Sequence, residues 1–278
     1  MKHNQSEPTP EFTDLLLTRF NLDYSLTDGK PYICDENWHK QRFDLFYTYC
    51  MPSVQSQTCK EFAWLIFFNK NLKNEYQKEI ERAMREVPQI EFIFVAPDES
   101  HVNILKEYIR THIPSGNLIS SRLDNDDYIN RSYIEELQKV YHSNEKVDVP
   151  YLINAGTGYQ VEVYWPYRIG LVKGRSYSSF ITLISSVRKN SGSMTILDYQ
   201  HQDWVGRTRY YELKNKPAWI QVIHEKNLAN KITTLRLFAG INTSDFPDFP
   251  FRLSKLSRWL LYPIQVFLSL KNKVHKLQ

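Results

Sequence analysis

Seven consecutive residues, Phe62 to Phe68 (FAWLIFF), carry no charged side chain and almost no polar atom. A run this short and this uniformly apolar has no wet face, so it predicts a strand covered on both sides, as in a parallel sheet layered between helices. The neighbouring chain supplies the rest of such a sheet. Phe12 to Leu22 (FTDLLLTRFNL) predicts a first strand, Ile90 to Val95 (IEFIFV) a third and Leu118 to Leu123 a fourth. Helical patterns lie between them. Trp38 to Cys50 places Phe43, Phe46 and Tyr47 at i, i+3, i+4 and should stop at Pro52; Asn74 to Arg85 is charged and ends before Pro88; His101 to His112 follows. After the fourth strand, Arg131 to Tyr141 predicts a helix with Tyr133, Leu137, Val140 and Tyr141 on one side. Strands alternating with helices of this length require right-handed crossovers, which predicts an α/β fold with a central, mostly parallel sheet flanked by helices. Ligands in such folds sit beyond the carboxyl ends of the strands.

Downstream the pattern shifts toward strands at Tyr151 to Ile153, Tyr159 to Trp165 and Arg168 to Val172, separated by Gly-containing turns. Ser176 to Arg188 reads as a polar loop, a short helix, or both, and Ala218 to Val222 as a further strand. The 278 residues suit one sizeable core, here 1–250, with an appended tail, 251–278. Hydrophobic residues at 42% and charged residues at 24% belong to an ordinary globular chain and exclude a disordered one. The aromatic content, with 18 Tyr, suits either sugar and base stacking or a Tyr-rich core. Cys34, Cys50 and Cys59 are odd in number and lack CxxC spacing, as expected of reduced thiols rather than a disulfide framework or a zinc site. Met1 to Thr9 is polar with no apolar core of a signal peptide, so a cytoplasmic protein is expected. Of the net charge of +4, the segment Arg252 to Gln278 supplies six basic groups and no acid, leaving the body slightly negative. That asymmetry argues against a nucleic-acid-binding body.

The chemistry concentrates in Ser121-Arg122-Leu123-Asp124-Asn125-Asp126-Asp127-Tyr128. Three carboxylates within four residues repel one another unless a cation or a well-solvated turn relieves them, and a divalent ion offers that relief. A strand ending in Asp-x-Asp can place one carboxylate on a ribose and another on a Mg²⁺ or Mn²⁺ ion bridging two phosphates, which withdraws charge from a departing diphosphate. The alternative is an acidic turn in which Asp126 or Asp127 caps the helix that begins near Asn130. His224, after an apolar strand, is either a further metal ligand or an ordinary hydrogen-bonded histidine.

Several segments resemble the bacterial family known as "putative rhamnosyltransferases", relatives of the GT-A glycosyltransferases. They are Thr18-Arg19-Phe20-Asn21, Phe43 to Cys50 with Pro52 to Gln57, Trp64 to Phe68, Ser121 to Tyr128, Asn154-Ala155-Gly156-Thr157-Gly158, and Trp219 to His224 with Asn227. The resemblance implies a GT-A-like nucleotide-sugar-binding fold and transfer of rhamnose or another hexose from a nucleotide-diphosphate donor to a glycan or lipid-linked glycan acceptor, in polysaccharide biosynthesis. It implies donor contacts at Arg19, Asn21, Arg122, Asp124 and Asp126, and an Mn²⁺ or Mg²⁺ ion at Asp126, with Asp127 and His224 as further ligands. It also matches His201-Gln202-Asp203-Trp204 to the motif supplying the general base of inverting enzymes, although Gln202 stands where a second acid is common. Asp203 is then the candidate base and His201 the fallback, unless Asp203 merely pairs with Arg207.

In the tail, Leu253, Leu256, Leu260, Phe267, Leu270, Val274 and Leu277 recur at spacings of three and four, interrupted at Pro263. The apolar middle, Trp259 to Leu270, is too short to span a hydrocarbon core of about 30 Å at about 1.5 Å per residue. A basic amphipathic segment of this kind lies on the inner face of a membrane, or packs on its own domain or on a second subunit in a homodimer. Two other functions compete with the glycosyltransferase reading. A nucleotidyltransferase would show a Gly-rich basic loop after the first strand, which Thr18 to Thr27 lacks; a non-catalytic glycan- or membrane-binding protein would use the aromatic surface and the tail.

Overall fold

The computed structural model describes residues 11–22, 35–144, 147, 149–164, 169–187, 193–213, 216–225, 241–242, 244–250 and 263. Its strands are β1 (Phe12–Arg19), β2 (Ala63–Asn69), β3 (Ile90–Val95), β4 (Gly116–Arg122), β5 (Tyr128–Ile129), β6 (Tyr151–Asn154), β7 (Gly158–Glu162), β8 (Ile169–Val172), β9 (Ile181–Val187), β10 (Arg209–Glu212) and β11 (Trp219–Ile223). Its α-helices are α1 (Glu36–Leu45), α2 (Met51–Gln55), α3 (Gln77–Glu86), α4 (His101–His112) and α5 (Tyr133–His142). Seven strands form the main sheet in the order β10-β6-β9-β4-β1-β2-β3, and four form a second sheet in the order β5-β11-β7-β8.

The apolar run predicted to be covered on both faces is so covered: Trp64, Leu65, Ile66, Phe67 and Phe68 are each 0% exposed in β2. Alternate residues enter different cores. Trp64, Ile66 and Phe68 join Phe43, Phe46 and Ile80 on one side, while Leu65 and Phe67 join Leu105 and Ile109 of α4 on the other. Each such ring or branched chain contributes about 1.5–3 kcal/mol by leaving water, so this strand anchors the fold. β1 pairs in parallel with β2 and β4, and β2 with β3. The sheet is nevertheless mixed, because β9 runs antiparallel between β4 and β6.

β9 corrects the reading of 176–188 as loop or helix. Its serines and threonine imitate loop composition, but the two buried hydroxyls are satisfied inside: Thr182 Oγ1 lies 2.9 Å from Ser121 Oγ, and Ser185 Oγ donates to Met194 O at 2.8 Å. Bonded in this way, a hydroxyl no longer opposes burial in a central strand. The stop expected at Pro52 is also corrected. Phe46–Cys50 forms one π turn, in which the Met51 amide reaches back to Phe46 O, and the helix resumes as α2 with Pro52 in its first turn. A widened turn before proline accommodates the ring and the missing N–H that would break a regular helix.

The acidic run joins the two sheets. β4 ends at Arg122 in the main sheet, and six residues later β5 pairs antiparallel with β11 in the second sheet. Residues 244–250 pack Phe246 and Phe249 against Tyr128, Tyr159 and Val222 of that second sheet. Among the described residues no helix is long and apolar enough to cross a membrane, and the tail 251–278, apart from 263, lies outside them.

Candidate functional site

The acidic run is stitched to the carboxyl end of β1. Leu123 N donates to Leu17 O at 3.0 Å, Thr18 Oγ1 donates to Leu123 O at 2.8 Å, and Trp64 Nε1 donates in turn to Thr18 Oγ1 at 2.9 Å. Asn125 Nδ2 donates to Phe20 O at 2.9 Å, and Asp127 N closes a turn on Asp124 O at 3.1 Å. Beneath this turn the π segment brings Cys50 Sγ to 3.5 Å from Asp124 O. Cys50 and Cys59 are free thiols, and burial, with the charges of Asp126, Asp127 and Asp124, pushes the Cys50 thiol well up, so it is inert.

The three carboxylates have separate surroundings. Asp126 Oδ2 accepts from Arg42 Nη1 at 2.8 Å and lies 3.0 Å from His224 Nε2. Burial opposes its ionisation, but the His224 imidazole and the Arg42 guanidinium outweigh it and hold the carboxyl below its ordinary range. Asp127 turns the other way: it is 1% exposed, and its Oδ1 accepts from the Val222 amide at 3.0 Å. Burial, with Asp126 and Asp124 close by, pushes its carboxyl well up. Asp124 is the most open of the three, 37% exposed at the side chain, with Arg122 Nη2 at 3.6 Å. None of them caps α5, whose N-cap is Ser132. Among the described residues no three His, Cys, Asp or Glu side chains converge tightly enough to hold an ion unaided.

The structure thus brings together Asp124, Asp126, Arg122 and His224 and sets Asp127 aside as a strut between the sheets. His224 follows directly on β11, from the second sheet, and meets the same acids that β4 delivers from the main sheet. Asn21 is 1% exposed, holding Asn69 N at 2.8 Å and His39 Nε2 at 3.0 Å, and works as an internal strap. Arg19 ends β1 close to His101, whose imidazole is pushed down to about 4 by burial and by the Arg19 charge. His201 and Asp203 lie in one 3-10 turn. The His201 imidazole is pushed down by burial and by Arg122 and Arg175, against a smaller pull from Asp124 and Asp203. Its Nδ1 is buried without a hydrogen-bond partner. Asp203 is exposed, and Arg207 Nε donates to its main-chain oxygen at 2.6 Å while the guanidinium lies 4.1 Å from the Tyr199 ring centroid.

Two site residues were missed from sequence. Arg42 and Asn125 act as a pair, with Arg42 Nη1 donating to Asn125 Oδ1 at 3.0 Å beside its contact with Asp126. The available signal was a lone arginine directly before the aromatic stretch Phe43 to Cys50. The segment Asn154 to Gly158 also has its explanation. A Cβ on Gly156 would meet Asn154 Nδ2, Arg175 O and Glu212 Oε2 at 2.9 Å each, and one on Gly158 would lie 2.2 Å from the Trp219 ring.

Comparison with known proteins decides the family. The model of the family described as "Putative rhamnosyl transferase" matches residues 17–236. The chain belongs to this family. The family's description is that of a glycosyltransferase, the activity class the sequence resemblance implies. No curated protein matches this rhamnosyl transferase family member. Among solved structures, a 1–349 form of S. aureus TarS matches with 9% identity, a TM-score of 0.40, and coverage of 76% of this chain and 60% of that one. A second S. aureus TarS structure has 9% identity, a TM-score of 0.38, and coverage of 77% and 37%. HddC from Yersinia pseudotuberculosis, complexed with GMP-PN, has 12% identity, a TM-score of 0.31, and coverage of 77% and 91%. The chain therefore spans 60% and 37% of the two TarS chains it matches.

Proposed function

We propose that the chain is a GT-A-type, metal-dependent, inverting glycosyltransferase that moves rhamnose or another hexose from a nucleotide-diphosphate donor to a glycan or lipid-linked glycan. One observation carries the reading: Asp126 Oδ2 and His224 Nε2 stand 3.0 Å apart at the junction of two sheets, beyond the carboxyl end of β4. A carboxylate oxygen and an imidazole nitrogen this close could both reach one divalent ion. A carboxylate suits Mn²⁺ or Mg²⁺ and the imidazole favours Mn²⁺ of the two, and such ions take the rest of their shell from phosphate oxygens and water, so a pair of protein ligands would suffice. When bound, the ion would neutralise charge on the leaving diphosphate. In this reading Asp124, more exposed and facing Arg122, would take the donor's ribose, and Arg122 and Arg19 its anionic groups.

The acceptor hydroxyl must lose a proton as the new bond to the sugar forms. His201 and Asp203 share one turn within the electrostatic field of Arg122 and Asp124, and a histidine pushed down by burial stays neutral near pH 7, ready to take that proton. Asp203 remains the other candidate. His201→Gln and Asp203→Asn separate them, since the variant that removes the base loses turnover by about 10²–10⁴-fold with donor binding intact. Thermal denaturation with a panel of sugar nucleotides, with and without MnCl₂, tests the whole reading. A donor should stabilise the protein only with the ion, and Asp126→Asn should erase that dependence. Equal stabilisation in EDTA would refute metal dependence. The acceptor is expected at a membrane surface, met through the six basic residues of 252–278, and sedimentation of the full chain with anionic but not zwitterionic vesicles checks this.

A further inference from the structure

The acidic run already has a cation of its own. Arg42 Nη1 lies 2.8 Å from Asp126 Oδ2, the same oxygen that stands 3.0 Å from His224 Nε2. The arginine is seated: its side chain is 12% exposed, and its guanidinium lies 5.0 Å from the Trp38 ring centroid. An ion joining Asp126 to His224 through that oxygen would share Oδ2 with the guanidinium. Two cations on one carboxylate oxygen repel unless another anion takes up one of them. A nucleoside diphosphate is such an anion, and the planar fork of arginine matches phosphate oxygens. Asn125 supplies the remaining element. Its Nδ2 is held by Phe20 O at 2.9 Å, so its Oδ1 stays aimed at Arg42 and gives the guanidinium a neutral anchor when Asp126 is surrendered.

Building on the donor site above, we propose that Arg42 makes ion and donor bind together. It neutralises Asp126 in the donor-free protein, opposes entry of the ion alone, and passes to the donor's phosphate oxygens when diphosphate and ion arrive. Coupling of this kind is reciprocal: whatever factor the diphosphate adds to ion affinity, the ion adds to diphosphate affinity. It gives Arg42 opposite effects on the two ligands, whereas a merely structural arginine would affect both in the same direction.

Calorimetric titration of wild type, Arg42→Met and Arg42→Gln tests this, using MnCl₂ alone and then UDP, GDP and dTDP with and without MnCl₂. Arg42→Met should bind Mn²⁺ alone at least about fivefold more tightly than wild type and should bind the preferred diphosphate, with Mn²⁺ present, at least about fivefold more weakly. Mn²⁺ should also raise the melting temperature of Arg42→Met more than that of wild type. Should the methionine variant fail to fold, Arg42→Gln, which removes the charge but keeps an amide donor, must show the same pair of signs. Unchanged or weaker Mn²⁺ binding in a folded variant overturns the role of Arg42 and leaves the donor reading standing. Absence of Mn²⁺ binding in every protein, with every diphosphate, overturns both.

Discussion

Asp14 stands in the middle of β1 at 3% exposure, one oxygen accepting from Gln138 Nε2 at 3.0 Å and the other without a partner. Burial, only partly offset by the Gln138 bond, pushes its carboxyl up to about 7. In the unfolded chain the same group ionises near its ordinary value of about 3.9. The folded state therefore binds the extra proton across that window, and stability is fully present below about pH 4 and declines as the pH rises toward 7. Asp14→Asn keeps the acceptor for Gln138 and cannot ionise. It should raise the melting temperature at pH 8 by several degrees, on the order of 2–4 kcal/mol less the cost of an amide seeking a partner, and the gain should vanish near pH 4. Calorimetric melts of both proteins from pH 4 to 8 check this. Asp14 also marks how far single residues can be read from sequence. The acidic run stood out in sequence because it directly follows an apolar strand, whereas the separate surroundings of its three acids did not. Arg42 was not legible, since it meets Asp126 across 84 positions and nothing local to a helical arginine names its partner. Asn21 shows the converse: it stands just past a strand end, as the sequence indicates, but its amide is engaged by Asn69 and His39, which nothing local in the sequence reveals.

Elements were legible where one force dominated. β3 and α4 were anticipated residue for residue, the first by its apolar run and the second by its period between Ser100, which caps it, and Ile113. β9 failed because serine hydroxyls satisfied inside a sheet look the same in sequence as those facing water, and α2 failed because the π turn that absorbs Pro52 leaves no local signature. Close approach between elements was equally hidden. Trp219 of β11 lies flat on Gly158 of β7, stacked on Phe180 at 4.7 Å and 6°, with its Nε1 donating to Ala155 O at 2.6 Å. A methyl group at residue 158 would lie 2.2 Å from that ring, and the Phe180 stack and the Ala155 bond leave the indole no room to retreat. Gly158→Ala should therefore destabilise the protein by at least about 1–3 kcal/mol, read as a fall of several degrees in melting temperature. Gly174→Ala, at an open turn with φ +62, meets no neighbouring atom, and its cost should be confined to the backbone.

At the scale of the whole molecule, the α/β class was legible because alternation of strand and helix admits few topologies, whereas the second sheet was not, since β5 is only two residues long. That sheet nevertheless completes the site, bringing His224 to acids that belong to the main sheet. Asp127 fastens the junction: its Oδ1 holds the Val222 amide of β11 at 3.0 Å, two residues before His224. This separates its role from that of its neighbour. An acid serving as a metal ligand would cost ion affinity when replaced, while an acid serving as a strut costs stability and affects the ion only through position. Asp127→Ala leaves a buried amide unpaired and should lower stability by about 1–3 kcal/mol. Asp127→Asn retains an acceptor for Val222 and should fold close to wild type, with its Mn²⁺ affinity moved less than about threefold. Asp126→Asn should behave in the opposite way, since Asp126 lies beside His224 and faces no amide of β11. Chemical denaturation paired with Mn²⁺ titration of the three variants measures both quantities. A tenfold loss of Mn²⁺ affinity in Asp127→Asn would make Asp127 a ligand and would require its carboxylate to leave Val222 when the ion binds.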